Sequence, residues 1–157
     1  MSRSTPATLA LDRAGVAYTL ATYSYDPGAD RIGLQAAQAL GAPAAEVLKT
    51  LIAKADGRPA CVLLASDREV SMKKLAAALG AKTAEMAPPA DAERITGYRV
   101  GGVSPFGQKK RLPTVIDAAA AALAQAYVNG GQRGLQLRLA PRDLIRALEA
   151  TVAAIAL

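Results

Sequence analysis

Apolar positions recur along this chain in two rhythms, one helical and one stranded, each interrupted by glycine or proline. Thr5 before Pro6 reads as a helix N-cap and first helical position, and Gly15 stops a short helix after Leu11. Residues 16–24 (VAYTLATYS) are rich in β-branched and aromatic side chains, which predicts a strand ending in the turn-prone Tyr25-Asp26-Pro27-Gly28. Leu34, Ala37, Gln38 and Leu40 keep helical spacing up to Gly41. Residues 47–54 and 60–65 read as the arms of a hairpin turning at Asp56-Gly57. Ser71 caps a helix through Leu75 and Leu79 that Gly80 ends, and a short segment at 82–86 precedes Pro88-Pro89.

The second half repeats the mixture. A glycine-rich turn at Gly101-Gly102 leads to a strand at 112–116 and a helix beginning near Asp117. Strands flank Gly130-Gly131, and the one at 135–139 runs into Pro141, which opens a C-terminal helix carrying Leu144, Ile145 and Leu148. Helix and strand signals interleave with no repeat and no linker, which predicts one α+β domain over residues 1–157, a mixed β-sheet flanked by helices.

Composition narrows the chemistry. Hydrophobic residues make up 52% of the chain but aromatics only 4%, so the core must be packed from Val, Leu, Ile and Ala. Nineteen Lys plus Arg against 13 Asp plus Glu leave a net charge of +6, which fits a polyanionic partner such as RNA and equally a plain basic protein. The lone Cys61 lies in an apolar run, where a thiol behaves as a small buried hydrophobe. Residues 1–8 lack a signal-peptide core and no apolar run is long enough to span a bilayer, so the cytoplasm and no membrane association are expected.

The chain has no histidine, which removes Ser-His-Asp triads, Cys-His dyads and histidine metal sites together; neither a metal nor a cofactor is expected. No P-loop and no dinucleotide fingerprint occurs. Asp26 and Asp30 sit in a Pro/Gly turn where solvated acids are common. Lys49 is different. It shares a strand face with Val47 and Leu51 while Leu48, Thr50 and Ile52 take the other, so its ammonium must reach solvent, find a partner, or line a cleft.

Residues 100–111 (VGGVSPFGQKKR) join a glycine-rich turn to three consecutive cations. Glycines let backbone N–H groups approach an oxyanion or phosphate, Pro105 stiffens the turn, and Lys109, Lys110 and Arg111 can hold phosphates; a tight turn with a solvated charge run has the same pattern. Residues 129–134 (NGGQRG) form a second glycine turn that as a hairpin loop requires no function.

Tyr23, the segment 47–51 (VLKTL), 79–82 (LGAK), 96–98 (TGY), 101–114 (GGVSPFGQKKRLPT) and 130–135 (GGQRGL), in that order over nearly the whole chain, resemble the YbaK/EbsC family of aminoacyl-tRNA deacylases. The long glycine-to-threonine block with a lysine upstream carries the specificity. The resemblance implies a mixed, partly barrel-like sheet around a small pocket, and removal of a mischarged small amino acid, cysteine first, from tRNA(Pro), with prolyl-tRNA synthetase as a possible partner. Lys49 and Gly101 would be the working pair, with Gly101 opening a G-x-x-x-P loop that closes at Pro105. Tyr23, Ile32, Gly102, Ser104, Asn129, Gly130 and Gln136 would join Pro105 around the substrate, and Lys109, Lys110 and Arg111 would touch RNA.

The same resemblance implies a reaction without a protein base: the thiol of the bound cysteine attacks its own ester carbonyl, releasing a thiolactone, and a substrate lacking a thiol needs water or a ribose hydroxyl. Ile32, Asn129 and Gln136 depart from the family prototype, where an aromatic residue, a serine and an aspartate stand. Alanine, serine or 2-aminobutyrate therefore stay open as the residue cleared. A catalytically silent module that binds the tRNA 3′ end or a synthetase is the alternative.

Overall fold

Thr5 starts the first helix as its sequence predicts. Its hydroxyl accepts from the Thr8 amide at 3.2 Å while the Thr8 hydroxyl accepts from the Thr5 amide at 2.8 Å, a reciprocal cap that opens α1 (Pro6–Ala14), and Gly15 at φ 68° closes it. The computed structural model describes residues 4–26 and 32–157, with the backbone alone at Ile32 and Gly33. Pro27, Gly28, Asp30 and the side chain of Ile32, all weighed above, lie outside the described residues.

After α1 come β1 (Thr19–Thr22), α2 (Ile32–Leu40), a single 3-10 turn at 44–46, and the hairpin β2 (Leu48–Ala55) with β3 (Arg58–Ala65). Asp56 at φ 49° and Gly57 at φ 81° take the two left-handed positions that a two-residue hairpin loop demands. Next come α3 (Met72–Ala78), β4 (Ala84–Met86), α4 (Pro89–Thr96), β5 (Thr114–Asp117), α5 (Ala118–Ala121), β6 (Ala126–Asn129), β7 (Leu135–Leu139), α6 (Pro141–Leu148) and β8 (Thr151–Ala153).

Two elements were not legible in the sequence pattern. Pro88-Pro89 reads as a breaker, yet Pro89 occupies the first turn of α4, where its missing N–H costs nothing. The three residues of β8 form a strand only because β5 pairs with them in parallel.

The strands make two sheets. The larger is mixed, in order β4-β2-β3-β5-β8, with β2 antiparallel to both neighbours and β5 parallel to β3 and β8. The smaller is antiparallel, in order β1-β7-β6. A bridge from Val47 to Tyr127 joins them, and the sheets do not close into a barrel. The mixed sheet with flanking helices is thus present, divided in two where a partly barrel-like sheet was expected, because β6 lies beside β2 without a ladder and a single bridge among the described residues connects the sheets.

Strand β3 is apolar on both faces because both are covered. Leu63 joins the main core with Leu11, Ile116, Leu137 and Leu144, while Val62 and Leu64 pack with Leu75, Val115 and Ile155 against α3. Cys61 belongs to a third cluster with Ile52, Ala87, Ala92 and Leu112.

Burial pushes the Cys61 thiol from its ordinary 9.0 up to about 12. The neutral thiol is the form the fold favours, so its contribution to stability is complete below pH 9 and declines as pH rises toward 12. Iodoacetamide at pH 8 should leave Cys61 unmodified in the native protein and label it in denaturant; fast native labelling would contradict this packing. Gly107, at φ 67°, lies against α1 where a Cβ would overlap the Pro6 carbonyl. Gly107→Ala is expected to cost about 2 kcal/mol or more, read as a lowered Tm.

Candidate functional site

Strand β2 is paired on one side along its whole length and on the other for half of it. Ala53, Lys54 and Ala55 pair with β4, and the Ala87 amide donates to the Ile52 carbonyl at 3.0 Å. Beyond that bond Pro88-Pro89 turn the chain into α4. Lys54 Nζ lies 2.7 Å from the Asp91 carboxylate, which fixes α4 beside β2 and holds the Asp91 carboxyl below its usual range. The first half of β2 is left facing a cavity of about 350 Å³.

Five of the residues expected at a site line this cavity: Tyr23, Lys49, Gly101, Asn129 and Gln136. They come from four separate parts of the chain. The stem of Lys49 is largely covered, its side chain 21% exposed, and Nζ lies 3.7 Å from a carboxylate oxygen of Glu69, which is 70% exposed. A pair with so exposed a partner is screened by water and weakly held, leaving the ammonium able to meet another anion or a carbonyl oxygen.

Asn129 clasps the two glycine turns together. Its side-chain N–H donates to the Gly101 carbonyl at 3.2 Å, and its side-chain oxygen accepts from the Gly131 amide at 2.7 Å. Arg133 adds a second tie, donating from Nε to the Val100 carbonyl at 3.0 Å with its guanidinium 5.1 Å from the Tyr25 ring centre. The contact needs glycine: at φ 91°, a Cβ on Gly101 would lie 2.7 Å from the Tyr25 hydroxyl, and one on Gly102 would lie 2.9 Å from the Arg133 amide. The Gly102 amide donates to the Arg99 carbonyl at 2.8 Å, whereas the Gly101 amide makes no hydrogen bond among the described residues.

The cavity is mostly apolar, yet three buried side-chain atoms in its wall lack a hydrogen-bond partner among the described residues: Tyr23 Oη, Thr50 Oγ1 and Gln136 Oε1. Each unmet polar atom costs about 1 to 3 kcal/mol. Burial raises the Tyr23 phenol above its ordinary value, opposed by the nearby Gln136 side chain and Gly134 backbone and assisted by Tyr25. The Gln136 amide therefore influences the phenol without meeting hydrogen-bond geometry, and the phenol stays protonated at neutral pH, able to donate.

The other expected residues are placed elsewhere. Gly102 lines a neighbouring cleft, and Pro105 lines a third one with Arg111. Ser104 is fully buried, its hydroxyl accepting from the Phe106 amide at 3.2 Å. Gly130 lies behind the wall, where its carbonyl accepts from the Thr5 hydroxyl. Arg111 turns to the end of α6, reaching the Ala147 carbonyl at 3.4 Å and Glu149 at 3.6 Å, while Lys109 and Lys110 are exposed.

Thr50, Met86, Pro89 and Ala92 line the cavity without having been expected at a site. Thr50 carried a signal of the same kind as Lys49, a polar side chain in an apolar strand; Pro89 and Ala92 depended on an unpredicted α4. Among the described residues no cluster of potential ligands could hold a metal ion, and no helix is long and apolar enough to cross a membrane.

Residues 26–147 match the family model of the aminoacyl-tRNA editing domain. The chain belongs to the aminoacyl-tRNA editing domain family. This editing domain is 36% identical over 110 residues to EbsC of Enterococcus faecalis, a proposed Cys-tRNA(Pro)/Cys-tRNA(Cys) deacylase, covering 69% of this chain and 67% of that protein. It is 34% identical over 99 residues to the proline–tRNA ligase of Geobacter metallireducens, covering 63% of this chain but 17% of the ligase. The chain thus spans a small part of the ligases it matches. Among solved structures, a hypothetical protein superposes with a TM-score of 0.85 at 25% identity, covering 98% of this chain and 100% of that one. A proposed trans-editing enzyme for prolyl tRNA synthetase superposes with a TM-score of 0.82 at 24% identity, covering 99% of both; at that identity the likeness shows the fold of the editing domain.

Removing the Asn129 clasp tests whether it holds the two turns. Asn129→Ala should lower stability by about 1 to 3 kcal/mol, seen as a reduced denaturant midpoint. An unchanged midpoint would mean that other contacts hold the turns.

Proposed function

We propose that the protein is a trans-editing deacylase that removes a mischarged small amino acid, cysteine foremost, from tRNA(Pro), acting in the cytoplasm as one editing unit over residues 1–157. The observation that carries this reading is the convergence of Lys49 and three unpartnered polar atoms on one small apolar cavity in a chain of this family. The naming of EbsC as a Cys-tRNA(Pro)/Cys-tRNA(Cys) deacylase supports the substrate, and the match to proline–tRNA ligases supports the tRNA and a working relation with prolyl-tRNA synthetase.

In this reading the aminoacyl ester enters the cavity with its carbonyl oxygen toward the Gly101 amide and its ribose toward Lys49. The Gly101 N–H stabilises the oxyanion as it forms, and the ammonium of Lys49 orients the ester. For a cysteinyl ester, a carbon–sulfur bond forms as the substrate thiol attacks, the carbon–oxygen ester bond breaks, and the ribose oxygen leaves with the thiol's proton. For alanine, serine or 2-aminobutyrate, water attacks instead. Gln136 Oε1 accepts from the substrate amine, Tyr23 donates to a substrate oxygen, and Asn129 keeps the Gly101 turn in place. Lys109 and Lys110, both exposed, face the RNA.

No cofactor enters this scheme. The test measures the ester remaining on proline tRNA charged separately with cysteine, alanine and serine. Acceleration is expected on the cysteinyl ester, and Lys49→Ala should reduce it by about a hundredfold with an unchanged Tm. No acceleration on any charged tRNA would reject the enzymatic reading, and full activity of the variant would remove Lys49 from the mechanism.

A further inference from the structure

The wall between the cavity and the cleft beside it is one turn thick. Gly101 faces the cavity, and Gly102 faces a cleft of about 290 Å³ that Arg99 and Arg133 also line. Both arginines are exposed, and neither guanidinium is ion-paired among the described residues. Arg133 is nonetheless fixed, because its Nε is bonded to the Val100 carbonyl and its plane lies near the Tyr25 ring, so its terminal nitrogens are presented in one orientation. Lys109 stands at the edge: its stem packs against Gly97, which also lines the cleft, and its amide donates to the Thr96 carbonyl at 2.9 Å. The acid nearby, Glu93, accepts from the Val100 amide at 2.9 Å.

Three cations around a cleft floored by glycine make a site for an anion of phosphate geometry, which a guanidinium fork fits with two parallel hydrogen bonds. The backbone amides of Gly102 and Gly131 are already bonded within the protein, so the side chains must supply the recognition. The third cleft, which holds Arg13 and Arg111, has no lining residue next in the chain to one that lines the cavity, whereas Arg99 and Gly102 directly flank Val100 and Gly101 of the cavity wall.

We infer that this cleft binds the phosphodiester backbone of the single-stranded RNA end whose terminal ester occupies the cavity, with Arg99 and Arg133 as the phosphate contacts and Lys109 at the rim. The inference rests on the proposed deacylase reading for its ligand. A polyanion esterified at its 3′ end has to leave the cavity along one wall, and this wall carries positive charge next to the reacting end. The phosphate contact nearest the cavity then centres on Arg99 and Arg133, and Lys109 is the member of the basic run at 109–111 that borders it.

The experiment measures binding and turnover separately. A short fluorescently labelled single-stranded RNA ending in an unesterified 3′ adenosine is titrated with the protein at several salt concentrations, and deacylation is followed on charged tRNA and on the aminoacyl ester of adenosine without phosphate. Arg99→Ala and Arg99→Glu should weaken RNA binding several-fold, with the larger loss for Glu, and lower the salt slope by about 0.7 for each lost contact. They should raise KM for charged tRNA while leaving kcat, and all hydrolysis of the adenosine ester, unchanged; Arg99→Lys should recover part of the binding. Unchanged RNA binding in Arg99→Ala, or an equal loss on both esters, overturns the inference. A wild-type protein that binds RNA through Arg99 yet hydrolyses neither ester would sink the deacylase reading and leave this one standing.

Discussion

Half of strand β2 has a neighbour on one side only, and the cavity exists because of it. A strand edge in the middle of a domain normally finds a partner, since unmet backbone groups are costly when buried. Here β4 stops at Met86, two prolines divert the chain, and among the described residues β6 bridges to this segment at Val47 alone, just before β2 begins. The gap that remains is too short to admit another strand and large enough for a small polar molecule. Lys49 and Thr50 stand on that stretch, so the break in the sheet also sets what lines it.

The far wall depends on a different device, two glycine turns clasped by Asn129 and Arg133. Side chains at positions 101 and 102 would force the turns apart, so their absence lets backbone stand directly on the cavity. Tyr23 Oη, Thr50 Oγ1 and Gln136 Oε1 are the buried side-chain polar atoms left without a partner among the described residues, and all three belong to residues lining this one cavity.

Much of this was legible in the chain because local signals agreed with the fold. The Thr5 cap, the Asp56-Gly57 turn, the Ser71 cap and Pro141 each mark an element boundary that the structure keeps. Lys49 was legible as an anomaly, a charge among apolar neighbours. What was not legible came from tertiary pairing. β8 has no pattern of its own, Pro89 looks alike as a breaker and as a first helical residue, and the division into two sheets depends on a contact between residues 47 and 127. The glycine block held the same ambiguity: spacing alone could not say that Gly101 and Gly102 face different hollows, or that Ser104 and Gly130 serve the wall from behind.

The chain has no histidine, and its one thiol is sealed beneath Ile52 and Ala92. No side chain of ordinary acidity therefore changes charge across the range in which cells live. The switch that an imidazole supplies in other proteins has to be brought in here by the guest.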